Sequence, residues 1–515
     1  MKLDWLKLPK YKNLANFEIN FDETQATTVV LGQNGTGKSN LLEALVEIFR
    51  DLELGIGPTF AYELQYICRD RKIHLSADPV RSTSRLSVAV NGLAITATAF
   101  NEKRDDYLPK YVFAYYSGWS SRLENHFAEP TREHYDAVLK STGYRIPLRR
   151  MFFCRRDYSQ LVLLAFFLSK NSEAHEILRE YLNIRAFDCA LFVLKRPWWG
   201  KSSTTNQSAD ARFWSARGAF RGFLDILWDQ GLAPIRRTEP VERDVRRQPE
   251  RTERLYLFIK DPSVLRSLAG KAEGSKEVFG YLESLFLCDL IDEVRVTVQR
   301  TDGTQVKFKQ LSEGEQQLLT VLGLLLFTQE DESLYLLDEP DTHLNPVWTY
   351  RYLGLLKRTI SAMKGNLLIA THNPLMIGSL HKNQVRILSQ NGAATTSAEP
   401  ESDPIGIGVE GLLKSELYGL RSSLAPEVLK DIDAQNRLLG LAKRTKEQDR
   451  ELQQANNRLE AIGVNLSHPN PLFDLFAKAV ASQPIFQKPI LSAMDIATQD
   501  RLANEILDGI VRETS

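Results

Sequence analysis

The sequence predicts an α/β fold that carries an antiparallel β lobe, a mainly helical insertion and a helical C-terminal tail. Three observations lead there. A short β-rich run, Thr27 to Leu31, passes through a glycine loop into Lys38 to Phe49, whose apolar residues recur at helical spacing. After a long excursion, a second strand, helix, strand, helix, strand succession runs from Val294 to Leu388. Beyond it a small, polar, proline-bearing stretch, Ala394 to Pro404, gives way to Pro426 to Ile462, rich in Lys, Glu, Gln, Arg and Leu.

Taken in chain order, Asn13 to Phe21 alternates apolar and polar residues and reads as a strand ahead of the Thr27–Leu31 strand. Between Ala61 and Phe100 the alternation returns. Asn91-Gly92, flanked by Leu86 to Val90 and Leu93 to Thr96, is a strong hairpin signal and marks the β lobe, placed at about 55–117. Residues of about 118–290 read as mainly helical, with loops such as Lys201 to Asp210. The expected organisation is a head over 1–393, a linker over 394–408 and a helical partner-binding region over 409–515. No heptad pattern lasts more than about three turns, which excludes long coiled-coil arms.

The 515 residues are 43% hydrophobic and 25% charged, the range of globular chains. No run of eighteen apolar residues occurs and Met1 to Trp5 lacks signal-peptide character, so a cytoplasmic location and no membrane contact are expected. Cys68, Cys154, Cys189 and Cys288 are too scattered for a zinc or exchange pair. Lys and Arg total 65, as do Asp and Glu, so contact with nucleic acid would have to come from a local patch.

Gly32-Gln33-Asn34-Gly35-Thr36-Gly37-Lys38-Ser39 fits the pattern G-x-x-x-x-G-K-[ST] between a strand and a helix. There, successive backbone N–H groups and the helix N-terminus face phosphates, Lys38 reaches the β- and γ-phosphates, and Ser39 offers Mg²⁺ a hydroxyl. Asn34, Gly35, Thr36, Gly37 and Asn40 complete the expected ATP contacts. Leu334 to Leu337 delivers Asp338 and Glu339 at the carboxyl end of a strand, where open α/β sheets bind ligands. Asp338 is expected on the metal and Glu339 on the attacking water.

Two further motifs narrow the class. Leu311-Ser312-Glu313-Gly314-Glu315-Gln316-Gln317 precedes an apolar helix and resembles the ABC signature in its SMC and RecF-like form, with Ser312 and Gly314 positioned to bind a phosphate brought by a second copy. Ser312 and Glu315 also form a capping box. His372, after Asn366 to Thr371, matches the switch histidine that contacts the γ-phosphate, and Asp341-Thr342-His343-Leu344-Asn345 matches the D-loop, with Asn345 where an acid is often found. The chain thus resembles an ABC-type P-loop ATPase head acting as a dimer with composite sites. The glutamine that usually senses Mg²⁺ is not evident; Ser117 and Gln160 are the alternatives.

Tyr11 to Phe21, Ser39 to Leu45 and Val409 to Leu420 together resemble Septu-type ATPases, which also occur with retrons; Asn470 to Ala479 resembles the family's closing helix. The resemblance implies bacterial anti-phage defence, with a separate HNH nuclease as partner and, in retron versions, a reverse transcriptase with its DNA–RNA product. Two alternatives share the motif order: a nuclease of the overcoming-lysogenisation-defect type and a RecF-like repair ATPase. For the first, Glu410 and Asp431 with Asp433 are the only tail acids resembling a Toprim site, and their spacing is too short for that fold. Two basic stretches are candidates for nucleic acid: Arg145 to Arg156, with Met151, Phe152 and Phe153 between its arginines, and Arg236 to Arg254. Trp198-Trp199 could be a partner hot spot or a core anchor.

Overall fold

The computed structural model describes the chain except residues 83, 141–147, 169–171, 198, 200–210, 217–219, 242–249, 270–274, 329, 362–364, 393, 442, 463–475, 477–478, 481–482, 489–490 and 515. Two compact units divide it. The first comprises Met1–Val30, Gly35–Thr371 and Leu388–Ser397; the second comprises Leu31–Asn34, His372–Ile387 and Ala398–Ser515.

A seven-stranded sheet carries the motifs. Its order is Ala394–Ala398, Val385–Asn391, Thr27–Gly32, Asn366–Ala370, Leu334–Asp338, Val112–Tyr116, Met151–Phe153. The central strands pair in parallel, with Leu334 to Asp338 opposite Asn366 to Ala370 on one side and Val112 to Tyr116 on the other. Strands covered on both faces need apolar side chains in both directions, and every residue of Leu334–Asp338 and Asn366–Ala370 is buried. The P-loop helix, Lys38–Leu54, buries Leu41, Leu42, Leu45, Ile48, Phe49 and Leu52 and stops at Gly55, whose left-handed backbone lets its N–H return to Asp51 O.

The β lobe is a six-stranded antiparallel sheet ordered Leu14–Asn20, Lys2–Tyr11, Tyr62–Cys68, Arg71–Ala77, Leu86–Val90, Leu93–Ile95. Asn91 and Gly92 take φ 52° and 80°, the two left-handed residues that a tight hairpin turn demands. The lobe differs from the span 55–117. It recruits the first two strands of the chain, and Val112–Tyr116 leaves it for the parallel sheet. One continuous core, including Leu6, Phe17, Leu45, Phe49, Leu64 and Tyr66, joins lobe and P-loop helix.

The insertion over 118–290 is helical in the greater part of its described elements, but it also contains strands that local periodicity does not announce. Within it lie the strands Ile184–Lys195, Leu232–Val241 and Glu250–Ile259, which join Ile291–Arg300 and Gln305–Lys307 in a five-stranded antiparallel sheet. Ile184–Lys195 pairs with Ile291–Arg300, about a hundred residues on, so its stability comes from a partner that local periodicity cannot reveal. The expected linker over 394–408 also begins as structure. Ala394–Ala398 is an edge strand whose Thr395 is buried, and an edge needs ladder hydrogen bonds more than apolar alternation.

In the second unit, Gly408–Lys414, Pro426–Leu439, Lys446–Ala461 and Ala493–Thr514 are helices. The middle two are cross-tied by Arg458 to Asp431 and Arg437 to Glu451. Most of Asn470 to Ala479, the expected closing helix, lies outside the described residues.

Candidate functional site

The glycine loop turns because two of its residues adopt φ values that favour glycine, 87° at Gly35 and 100° at Gly37. Gly37 is additionally hemmed in: a Cβ there would lie 2.6 Å from Leu14 Cδ2 and 2.9 Å from Asn13 Oδ1. Asn13 fastens the loop by donating to Gly35 O at 2.6 Å and accepting from Asn40 Nδ2 at 2.6 Å. Sequence reading placed Asn40 in the site but not Asn13, which follows the left-handed Lys12 at the turn between the first two strands.

Lys38 is buried at the start of the helix. Burial pushes its ammonium below its ordinary pKa, while the Glu339 and Asp338 carboxylates pull the other way. Asp338 is 1% exposed. Burial raises its pKa to about 6, opposed by a hydrogen bond from the Ser39 hydroxyl, with Glu339 raising it further and Arg122 and Lys38 lowering it. Thus Lys38, Ser39, Asp338 and Glu339, drawn from positions three hundred residues apart, meet in one electrostatic group. Asp338 Oδ1 has no hydrogen-bond partner despite its burial, and a hydroxyl beside a carboxylate is the hard oxygen pair that Mg²⁺ accepts. The donor set therefore fits the metal. Among the described residues, no group of three or more His, Cys, Asp or Glu gathers elsewhere to hold one.

Glu339 takes φ 53°, a left-handed conformation unusual for glutamate. It is held there by its N–H on Ala370 O at 2.8 Å and by Thr342 Oγ1, which donates to its carbonyl at 2.8 Å. Strain fixed by surrounding bonds is characteristic of functional positions. Thr342 also meets Ser117 Oγ at 3.0 Å, and Ser117 N–H donates to Asp338 O at 3.2 Å. Ser117, one residue beyond Val112–Tyr116, is therefore at the site, whereas Gln160 accepts from Val296 N–H at 3.3 Å within the fold. Arg122 was missed by the sequence reading. Nothing in Ser117-Gly118-Trp119-Ser120-Ser121-Arg122 announces that its guanidinium lies 3.3 Å from Glu43 Oε2 and faces Asp338.

Ser312 caps the signature helix, Glu313–Phe327, by the expected box: Glu315 N–H donates to its hydroxyl at 3.2 Å, and its own N–H donates to Glu315 Oε2 at 2.7 Å. Gly314 is a glycine for a steric reason, since a Cβ would sit 2.5 Å from His343 O. Gln317 donates to Pro340 O, so the signature helix is tied to the residue after Glu339. A cavity of about 300 Å³ opens between this helix start and the D-loop, walled by Tyr181, Leu182, Leu318, Leu344 and Trp348.

Gly32, Asn34 and His372 fall in the second unit. Gly32 ends the strand Thr27–Gly32, and Asn34 and His372 are exposed.

The basic stretch Arg145 to Arg156 does not form the expected nucleic-acid patch. Arg149 is buried and paired with Glu283, Arg150 is held by Glu53 and Asp105, Arg155 pairs with Glu124 at 2.9 Å, and Arg156 donates to Ser117 O at 3.0 Å. Met151, Phe152 and Phe153 are a buried strand. Arg145 lies outside the described residues. The described part of Arg236 to Arg254 forms the arms of an antiparallel strand pair, and Arg254 bridges Glu239 and Asp292. Trp199 is half-buried; Trp198 lies outside the described residues. The tail acids are also occupied: Glu410 by Lys414, Asp431 by Arg458 and Asp433 by Arg421.

Two family models match parts of the chain. One, described as "AAA domain, putative AbiEii toxin, Type IV TA system", matches residues 190–378, and a second, described as "AAA domain", matches residues 1–87. Among curated proteins, the chain is similar to the Septu protein PtuA of Bacillus mycoides, 28% identical over 202 residues, 36% of this chain and 28% of the relative. It also resembles protein ea59 of Escherichia phage lambda, 26% identical over 25% of this chain and 24% of the relative. A third is the retron Vc95 probable ATPase of Vibrio cholerae, 24% identical over 20% of this chain and 22% of the relative. The matches thus span less than a third of the length of these relatives. Among solved structures, the SMC head domain from Thermotoga maritima aligns over 78% of this chain and 100% of its own at 13% identity, with a TM-score of 0.33.

Proposed function

We propose that this chain is a Septu-type P-loop ATPase, in keeping with its likeness to the Septu and retron ATPases and to the AAA family models, and that it binds ATP with Mg²⁺ and hydrolyses it when two copies close face to face. The observation that carries the proposal is the electrostatic meeting of Lys38, Ser39, Asp338 and Glu339. In this reading the backbone N–H groups of residues 32–39, including Gly32, Asn34, Gly35, Thr36 and Gly37, cradle the phosphates, and Lys38 pairs with the β- and γ-oxygens. Ser39 and Asp338 hold Mg²⁺, which when bound neutralises charge on the phosphates. Glu339 orients the attacking water, and its strained backbone fixes where the carboxylate stands. His372 contacts the γ-phosphate. Ser312 and Gly314 serve the other copy's nucleotide, because a loop that already holds its own phosphates leaves the signature helix start to a partner.

The defence role follows from the same reading: the ATPase holds and regulates a separate HNH nuclease, and in a retron setting a reverse transcriptase with its DNA–RNA product. The helical region 409–515 is the proposed partner surface, supported by exposed Val409, Leu424, Met494 and Leu507. The rival in which the chain cuts DNA itself is disfavoured by the ion-paired state of Glu410, Asp431 and Asp433. Among the described residues no helix is long and apolar enough to cross a membrane.

The test is the Glu339→Gln variant, which should keep ATP affinity, lose turnover and accumulate as an ATP-dependent dimer on sizing. A variant that stays monomeric with ATP sinks the shared site. Purified protein that cuts plasmid with Mg²⁺ or Mn²⁺ establishes the rival. Leu424→Asp with Met494→Asp should reduce co-purification with the nuclease while ATPase activity persists.

A further inference from the structure

Among the described residues no large apolar side chain is more exposed than Trp119, at 101% of the reference value. A single exposed apolar residue is ordinary on a protein surface. What sets Trp119 apart is its place. The loop that carries it is pinned on both flanks: Ser117 to Asp338 O, to Thr342 and, through its carbonyl, to Arg156; Ser120 and Ser121 to the N–H groups of Arg122 and Asn125. Arg122 is in turn paired with Glu43. An indole presented from so constrained a loop loses little freedom on being buried, which is how aromatic anchors deliver affinity.

The same unit holds a receptacle of matching kind. The cavity of about 300 Å³ at the signature helix is walled by Leu182, Leu318 and Leu344, with Tyr181 and Trp348 tilted against each other at 5.3 Å between centroids. Ser312 and Gly314 line it as well. Its volume is at the low end for a site that encloses an organic ring system. The chain's own Trp119 does not occupy it, being fully exposed. Charge agrees with a meeting of the two surfaces: Arg122 and Lys12 stand partly exposed beside the Trp119 loop, and the cavity rim carries Glu313, whose side chain is 77% exposed, and Glu315.

We propose that Trp119 of one copy inserts into the cavity between the signature helix and the D-loop of a second copy, so that each closed pair is locked by two knobs in two holes. The inference rests on the shared-site reading above. Closure that lays one copy's Ser312 and Gly314 over the other's phosphates brings that cavity to the surface carrying Lys38, Asp338 and, beside them, Trp119. A twofold pair makes the contact twice, from the same patch on both copies.

The test uses the full chain with Glu339→Gln to hold the ATP-bound state. Adding Trp119→Ala should weaken ATP-dependent dimerisation at least about tenfold, with Trp119→Phe intermediate and ATP affinity of the dilute monomer unchanged. Trp119→Cys combined with Leu344→Cys should give a dimer-sized disulfide product in the presence of ATP, absent from either single variant. Unchanged dimer affinity in Trp119→Ala overturns the lock. A fall in monomer ATP affinity makes Trp119 a nucleotide contact and overturns it too. If the Glu339→Gln parent forms no ATP-dependent dimer, the shared-site reading fails first, and the lock with it.

Discussion

Two nests of buried charge lie in the first unit, and they are built on opposite plans. At Arg149 a cation meets Glu283, both accept company from Tyr158, whose hydroxyl donates to Glu283 Oε1 at 3.1 Å, and the guanidinium lies 4.7 Å from the Phe152 ring centre. One positive group answers one negative group inside an aromatic shell. At the strand ends, Asp338 and Glu339 face Lys38, and Arg122, which also acts on Asp338, is itself paired with Glu43, so negative charge stays in excess, and Glu339 is held in a strained backbone. Unpartnered buried atoms do not separate the two nests: Arg149 Nε, Glu283 Oε2 and Asp338 Oδ1 all lack hydrogen-bond partners. Charge balance and backbone strain do. The first nest is closed on itself in charge; the second leaves negative charge in excess and Asp338 Oδ1 without a hydrogen-bond partner, as the proposed Mg²⁺ site requires.

The comparison breaks if the nests respond alike to substitution. Arg149→Ala should cost about 3–5 kcal/mol of stability, because it strands Glu283 as a buried unpaired carboxylate, whereas Arg149→Met with Glu283→Leu should be near neutral. Denaturant midpoints decide it. Glu339→Gln should behave in the opposite way, with stability unchanged or improved while steady-state turnover falls on the order of a hundredfold, about 2.7 kcal/mol of lost transition-state stabilisation. Lys38→Ala should weaken nucleotide binding by roughly thirtyfold, about 2 kcal/mol, measured by calorimetric titration. Wild-type affinity there would remove the loop from the site.

A further carboxylate sharpens the contrast. Glu43 lies on the P-loop helix, nearly fully buried, amid Lys12, Arg122 and His126. Burial works to raise its pKa, but hydrogen bonds from His126 and Lys12 and the charges of Lys12 and Arg122 prevail and hold it at about 2, below the ordinary 4.5. A depressed carboxylate stabilises the fold above its ordinary pKa, and that contribution disappears as pH falls from about 4.5 through about 2. Because Lys12 and Arg122 are partly exposed, about 1–2 kcal/mol is the expected size. The stability gap between wild type and Glu43→Gln should therefore shrink between neutral pH and pH about 3. A gap constant across that range would mean that the cations do not stabilise Glu43.

What the sequence made legible was whatever chemistry is local. The glycine-loop pattern, the Asn91-Gly92 turn and the Ser312 and Glu315 cap are each written in residues within eight positions, and each is legible as local structure, although Asn13, which fastens the loop, is not part of that pattern. Ile184–Lys195 was not read as a strand, because its ladder partners lie at Leu255–Ile259 and Val294–Arg300. Arg149 and Arg150 were read as a surface because nearby residues carry like charge, while their carboxylate partners are Glu283, Glu53 and Asp105. The same blindness to distance hid Arg122, whose partner Glu43 is seventy-nine positions away in the numbering.

Gly314 approaches the His343 carbonyl so closely that no side chain fits between them, and Gln317 is bonded to Pro340 O next to Glu339. In the proposed roles, the residue offered to a neighbour's phosphate and the one that orients the chain's own attacking water are thus joined by two direct contacts between neighbouring segments. In the proposed closed pair this would act as a logical AND gate: the arrival of one nucleotide would be felt at the other site as a small displacement of its carboxylate, with no long relay. Turnover would then rise with ATP concentration along a sigmoid whose Hill coefficient approaches about two.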